Sequence, residues 1–180
     1  KMGEQVLPDG FTLTDDPYRV RAAASRIFDG EGMAVAPRAL IEDGVLQGWL
    51  MDTATAKQLG LRAPGGARRG IGSPPSPGAS NLTLTEGAQS REDLIRDMGE
   101  GLIVTSLIGT SISATTGSYS RGASGFWVEN GEIAYPVNEL TIAGMLPDFM
   151  KRLIAANDAD HAKSMIVSSL LVEGLTVASG

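Results

Sequence analysis

In this 180-residue sequence, the side chains able to do chemistry near neutral pH are few. His161 is the only histidine, and there is no cysteine. A catalytic zinc normally takes three protein ligands with histidine predominant, so neither that site nor the paired-histidine helix motif of metallopeptidases can be written with these residues. His161 also sits in the polar run Asp158–Lys163, where a solvated imidazole is the ordinary expectation. Ser118, Ser120 and Ser124 lack a G-x-S-x-G elbow, and a nucleophilic serine needs a base oriented by a third group. No catalytic residue and no metal ligand is therefore assigned. Asp29-Gly30-Glu31-Gly32 sets two carboxylates among glycines. A hard cation could use them through oxygen ligands, but a calcium loop needs several more oxygens, and the competing reading is a tight turn with solvated acids. Tyr119 and Arg121 suit binding better, with Asn138 as a third substrate-binding candidate. An arginine beside flexible glycine backbone can grip a carboxylate or a peptide backbone, the alternative being that Arg121 pairs with one of the chain's acids.

These candidates fall in or near one stretch, Thr116–Gly144. At its centre, Asn130-Gly131 separates two apolar-rich runs and favours the positive φ values of a two-residue hairpin turn. Counting outward pairs Glu129 with Glu132, Val128 with Ile133, Trp127 with Ala134 and Phe126 with Tyr135. Phe126, Val128, Ile133 and Tyr135 would then share a buried face, with Trp127 and the two glutamates opposite. Pro136 has no N–H for a ladder and should limit the pairing.

The run Tyr119–Ile133, continuing through Tyr135–Gly144, resembles the C-terminal region of the TldD/PmbA family, in wording closest to its PmbA (TldE) branch. The resemblance extends upstream through Phe28–Gly32 and Gly44–Leu46, and downstream through Asn157-Asp158 to the end. Family members were first described as modulators of DNA gyrase and are now regarded as a two-subunit metalloprotease that trims unfolded peptides. In the TldD branch the metal is held by a helical histidine pair upstream of this region and by a cysteine near the C-terminus. Matching on Asn157-Asp158 and the terminal strand brings that cysteine position to Ser168. The resemblance thus implies a metal-free PmbA/TldE-type subunit, with zinc expected in a TldD-like partner, unfolded peptide as substrate, and assembly as a homo- or hetero-oligomer. A non-enzymatic binding or regulatory protein, as the gyrase label suggests, is the alternative. The resemblance also implies an N-terminal domain outside this sequence, which opens Lys1-Met2 without an initiator methionine.

Length and composition set bounds on these readings. A chain of this size, 42% hydrophobic and with mean hydropathy near zero, reads as one soluble globular domain over residues 1–180. The lack of cysteine fits a reducing compartment and favours the cytoplasm. No apolar run approaches the roughly 20 residues needed to span a bilayer as a helix. A net charge of −6 argues against direct nucleic-acid binding, which depends on Lys and Arg neutralising phosphates.

The remaining signals predict an α+β fold, mostly antiparallel β and barrel-like, with two main helices. Phe11–Thr14 reads as a strand ended by Asp15-Asp16-Pro17. Arg38–Asp52 reads as a second hairpin turning at Asp43-Gly44, with Ile41 opposite Leu46. Thr53 should cap a short helix stopped by Gly60, with Trp49, Met51, Ala54 and Leu59 in the core. The proline- and glycine-rich segment 61–81 reads as a loop, either a lid or mobile, with mobile preferred. Asn81–Thr85 alternates as a strand does. Ser90–Asp93 resembles a capping box opening a helix that buries Leu94, Ile95 and Met98 and stops at Gly99. Gly101–Ser118 should be strand, with Leu102–Val104 central and Ser111–Thr116 nearer an edge or groove. Leu146, Phe149, Met150, Leu153 and Ile154 form a helical stripe over 146–156. Met165–Val172 and Leu175–Val177 read as two last strands around Glu173-Gly174. The Ser/Thr-rich strand beside a glycine-rich corner offers a surface on which an extended peptide could add through backbone hydrogen bonds.

Overall fold

The computed structural model describes residues 1–179, apart from the side chain of Thr110. In chain order the elements are β1 (Leu13–Asp15), β2 (Arg38–Glu42), β3 (Val45–Leu46), α1 (Thr53–Gln58), β4 (Ala67–Arg68), β5 (Ser76–Pro77), β6 (Leu82–Leu84) and α2 (Arg91–Met98). Then come β7 (Gly101–Ile112), β8 (Ser118–Glu129), β9 (Glu132–Met145), α3 (Leu146–Phe149), a 3-10 turn Met150–Arg152, β10 (Leu153–Ala155), β11 (Met165–Ile166), β12 (Leu170–Val172) and β13 (Thr176–Ser179). The architecture is α+β with mostly antiparallel sheets, as the patterning predicts, and none of the sheets closes into a barrel. By internal contacts the chain divides into two compact units.

Unit 1 comprises Lys1–Gln5, Asp9–Thr85 and Ala159–Ser168. Its main sheet has the order β11-β6-β1-β2-β3, antiparallel except for the parallel β11–β6 pair. The β2–β3 hairpin turns at Asp43 (φ 48°) and Gly44 (φ 77°) with Ile41 opposite Leu46, as expected. Helix α1 departs from expectation at its cap. Asp52, not Thr53, is the N-cap, and its Oδ1 accepts from Thr55 N at 2.7 Å. The buried apolar residues here are Met51 and Ala56, whereas Trp49, Ala54 and Leu59 are exposed, because so short a helix buries only one narrow stripe.

Segment 61–81 is irregular, as expected, apart from the two short strands of the β4–β5 ribbon, and many of its backbone groups are taken up by side chains. Arg38 Nη1 donates to Pro64 O at 3.2 Å, Arg26 to Ala67 O and Gly78 O, and Arg68 to Ala79 O. Asp15 accepts from Ser80 N at 2.7 Å and from the Ser80 hydroxyl, and is paired with Arg38 at 3.3 Å. Gly65 (φ 75°) lies so close to Ala34 that a Cβ would meet its carbonyl oxygen at 2.3 Å. Composition signals flexibility only when such partners are lacking.

Unit 2 comprises Val6–Pro8, Glu86–Asp158 and Ser169–Gly180. Ser90 and Asp93 close the predicted capping box on α2, which ends at Gly99 and buries Leu94. The long sheet has the order β13-β9-β8-β7, and β10 pairs separately with β12. Leu102–Val104 therefore lies on an edge strand rather than a central one. The helical stripe at 146–156 also breaks early. Leu153–Ala155 pairs with Leu170–Val172, and this long-range ladder overrides the local helical pattern. Correspondingly, Met165–Val172 splits into β11 and β12, and the last strand runs Thr176–Ser179.

The β8–β9 hairpin keeps its predicted pairs at the tip, Glu129↔Glu132 and Val128↔Ile133, and then shifts. Trp127 faces Tyr135 and Phe126 faces Pro136, with Ala134 as the extra residue. A one-residue bulge turns every later side chain to the other face. Tyr135 accordingly joins the glutamate side, and its hydroxyl donates to Glu129 Oε1 at 3.2 Å. Only Val128 of the expected apolar face is fully buried, while Phe126, Ile133 and Tyr135 are exposed. Further along, β7 bulges at Thr105 and β9 at Asn138-Glu139, where Glu139 takes φ 56°. Both bulges flank Gly125. A Cβ there would fall 1.8 Å from Ile103 O, whereas one at Gly122 would meet nothing closer than 3.6 Å. Gly125→Ala should therefore cost about 3 kcal/mol or more through overpacking, and Gly122→Ala less than about 1 kcal/mol. Urea midpoints of the two variants decide this.

Candidate functional site

Unit 2 contains a groove of about 1300 Å³. Its floor is one face of the long sheet. Strand β8 runs without a bulge, so Tyr119, Arg121, Ala123, Gly125 and Trp127 alternate onto a single face. Tyr119 and Trp127 line the groove together with Leu102, Val104 and Leu107 of β7 and Ile142 of β9. One wall is α2 through Leu94, Ile95 and Met98, and another is α3 and the following turn through Leu146, Phe149 and Met150. The Tyr119 and Phe149 rings meet edge to face, with centroids 5.4 Å apart and planes at 71°. Leu170–Val172 and the turn to β13 complete it. Charged residues are confined to Arg91, Asp97, Glu100 and Glu173.

Of the three substrate-binding candidates, Tyr119 lies in this groove. Arg121 is two residues along the same face, opposite Ile142, outside the groove lining, and its Nε is buried without a hydrogen-bond partner. Asn138 is exposed in the β9 bulge. Ser118, Ser120 and Ser124 occupy the opposite face of β8. Trp127, Leu102 and Phe149 were not predicted as site residues. The only sequence signal was Phe149 on the helical stripe, which reads equally as core.

The carboxylates of Asp29-Gly30-Glu31-Gly32 both serve the backbone of unit 1. Asp29 Oδ1 accepts from Glu31 N and Met33 N, each at 2.9 Å, and Oδ2 from Ala67 N at 3.0 Å. Glu31 accepts from Thr53 N at 2.8 Å and from the Thr53 hydroxyl, at the start of α1. Burial pushes the Asp29 carboxyl up. The N–H donors of Ala67, Met33 and Glu31 outweigh it, with help from Arg26, and hold the carboxyl below its ordinary 3.8. The motif is therefore a turn that anchors two segments. Asp29→Ala should cost at least about 3 kcal/mol, since each of three orphaned N–H groups costs about 1–3 kcal/mol. Because the folded-state value is depressed, the ionised form's contribution is complete above the ordinary value and is lost as pH falls through the lowered one. Urea midpoints taken from about pH 7 to about pH 3 should fall more steeply for the parent than for the variant.

The matches to known proteins cover nearly all of both units. The sequence model of the PmbA/TldA metallopeptidase C-terminal domain fits residues 1–179. Metalloprotease PmbA of Escherichia coli O157:H7 is 40% identical over 178 residues, covering 98% of this chain and 38% of that protein. A proposed modulator of DNA gyrase from Bacteroides thetaiotaomicron superposes with TM-score 0.86 at 32% identity, covering 99% of this chain and 39% of the other. TldE from Thermococcus kodakarensis gives TM-score 0.86 at 26% identity, covering 99% and 42%. The fold is thus that of a C-terminal metallopeptidase-family domain. The chain belongs to the PmbA/TldD family and spans about two fifths of the length of these relatives.

A catalytic zinc, which the family implies, does not fit the donors present. Among the described residues, no group of three or more His, Cys, Asp or Glu is arranged to hold a metal ion. Ser168, at the position matched to the TldD cysteine, is buried, and its hydroxyl has no hydrogen-bond partner. A neutral hydroxyl replaces poorly a thiolate, which deprotonates on zinc. Elemental analysis after dialysis against zinc should find well under one equivalent per chain, and one tightly held zinc would refute the donor argument.

Proposed function

We propose that this chain is the C-terminal part of a PmbA/TldE-type subunit that shapes the peptide-binding channel of a two-subunit metalloprotease, whose zinc is held by a TldD-like partner. The observation that carries this reading is the groove of unit 2, because it runs beside an unpaired sheet edge. Gly101–Thr105 and Leu107 of β7 line it, and among the described residues β7 pairs as a strand with β8 alone. An extended, unfolded peptide can add to such an edge through backbone hydrogen bonds that are themselves blind to sequence, while its alternate side chains enter the groove and set any preference. Tyr119 is the contact we assign to the substrate. Hydrolysis itself falls to the partner, because cleaving an amide near neutral pH needs an activated nucleophile or a metal-bound water. Full-length protein, TldD-like partner, zinc and an unstructured peptide should together give cleavage, and omitting the partner or the zinc should abolish it. Cleavage by the full-length protein alone, resistant to chelators, would overturn the reading. Cleavage by the partner alone at the full rate would instead favour a regulatory, non-enzymatic role.

A further inference from the structure

The charge of the chain is unevenly divided. Unit 1 holds ten Lys and Arg against ten Asp and Glu, whereas unit 2 holds five against eleven, so the net −6 resides wholly in the unit that carries the groove. The groove concentrates that asymmetry. Asp97, at the end of α2, accepts from the neutral Gln89 amide at 2.7 Å, which leaves its charge uncompensated. Glu100, where the chain enters β7, makes no ion pair among the described residues. The Ser169 N–H and hydroxyl hold the Asp158 carboxyl below its ordinary pKa, and Arg91, the cation lining the groove, adds to this and so is directed at Asp158. Near Glu173, Arg152 Nη1 lies against the neighbouring Gly174. Glu100 and Glu129 also act together on the Tyr135 hydroxyl, which burial and these two carboxylates hold above its ordinary pKa. One end of an apolar groove thus presents unpaired negative charge beside an open strand edge.

We propose that this groove selects extended segments combining apolar side chains with lysine or arginine, and rejects acidic ones. The apolar side chains enter among Leu102, Val104, Leu107 and Tyr119, and the cations meet Asp97 and Glu100. The inference rests on the peptide-binding reading above and adds the substrate class. A low-dielectric wall beside fixed charge strengthens the discrimination, and a like charge brought to the same place is repelled.

Three fluorescent unstructured peptides of equal length, built on Val/Lys, Val/Glu and Ser/Lys, are titrated with the purified chain and read by anisotropy. The Val/Lys peptide should bind at least about tenfold tighter than Val/Glu, and the gap should close in about 1 M salt, where the Debye length falls to roughly 3 Å. The Ser/Lys peptide should bind weakly, which separates the groove from mere attraction to an acidic protein. Asp97→Asn with Glu100→Gln should weaken Val/Lys roughly fivefold, the scale of exposed ion pairs, without weakening Val/Glu. Both sites are on the surface, and an unchanged urea midpoint shows that the variant is folded. Equal binding of Val/Lys and Val/Glu, or no effect of the double variant, overturns the charge selection alone. Failure of all three peptides to bind overturns the peptide-binding reading with it.

Discussion

Much of unit 2 depends on how closely β7 approaches β8 at Gly125. With the Ile103 carbonyl lying where a side chain would begin, only glycine lets the two backbones meet there. The neighbouring strands accommodate this contact unequally. Thr105 is extruded from β7 and its hydroxyl donates to Ser124 O at 3.2 Å, while β9 gives up two residues, Asn138 and Glu139, to one on β8. Bulges bend a strand and sharpen its twist. The regular β8, held between two bulged strands, carries the alternating face that floors the groove, and the strand order places β7 at the edge of the sheet.

What the sequence disclosed follows from the range of the interactions involved. Ser90 and Asp93 are three residues apart, and Asn130-Gly131 and Asp43-Gly44 are adjacent, so each carries its whole geometry in a few residues, and each was read correctly. The Ala134 bulge was not readable, because it answers to packing across strands rather than to local preference, and with it went the facing of Phe126 and Tyr135. Leu102–Val104 looks like a central strand because it is apolar on both sides, yet those side chains line a groove. Of the candidates Tyr119, Arg121 and Asn138, which the sequence offers for substrate binding, only Tyr119 lines the groove. Phe149 and Trp127, which complete its environment, carry nothing in sequence that separates a wall from a core.

The Asp29 turn teaches a complementary lesson about chemistry. Two carboxylates among glycines are a fair cation candidate on paper, and their fate is decided by backbone donors that come from residues 33, 53 and 67. Once those N–H groups occupy the oxygens, the carboxylates are committed to holding the backbone.

The anchoring of segment 61–81 bears on the safety of the protein itself. By composition this is the stretch most like an unfolded chain, and peptidases act on backbone that can be drawn out into an extended strand. Here the carbonyls of Pro64, Ala67, Gly78 and Ala79 are held by arginine side chains, and the amides of Ala67 and Ser80 by aspartates. Only the tip around Ile71, fully exposed, lies between those anchors. Drawing this segment out as an extended strand would therefore mean breaking those contacts with Arg26, Arg38, Asp15 and Asp29 first.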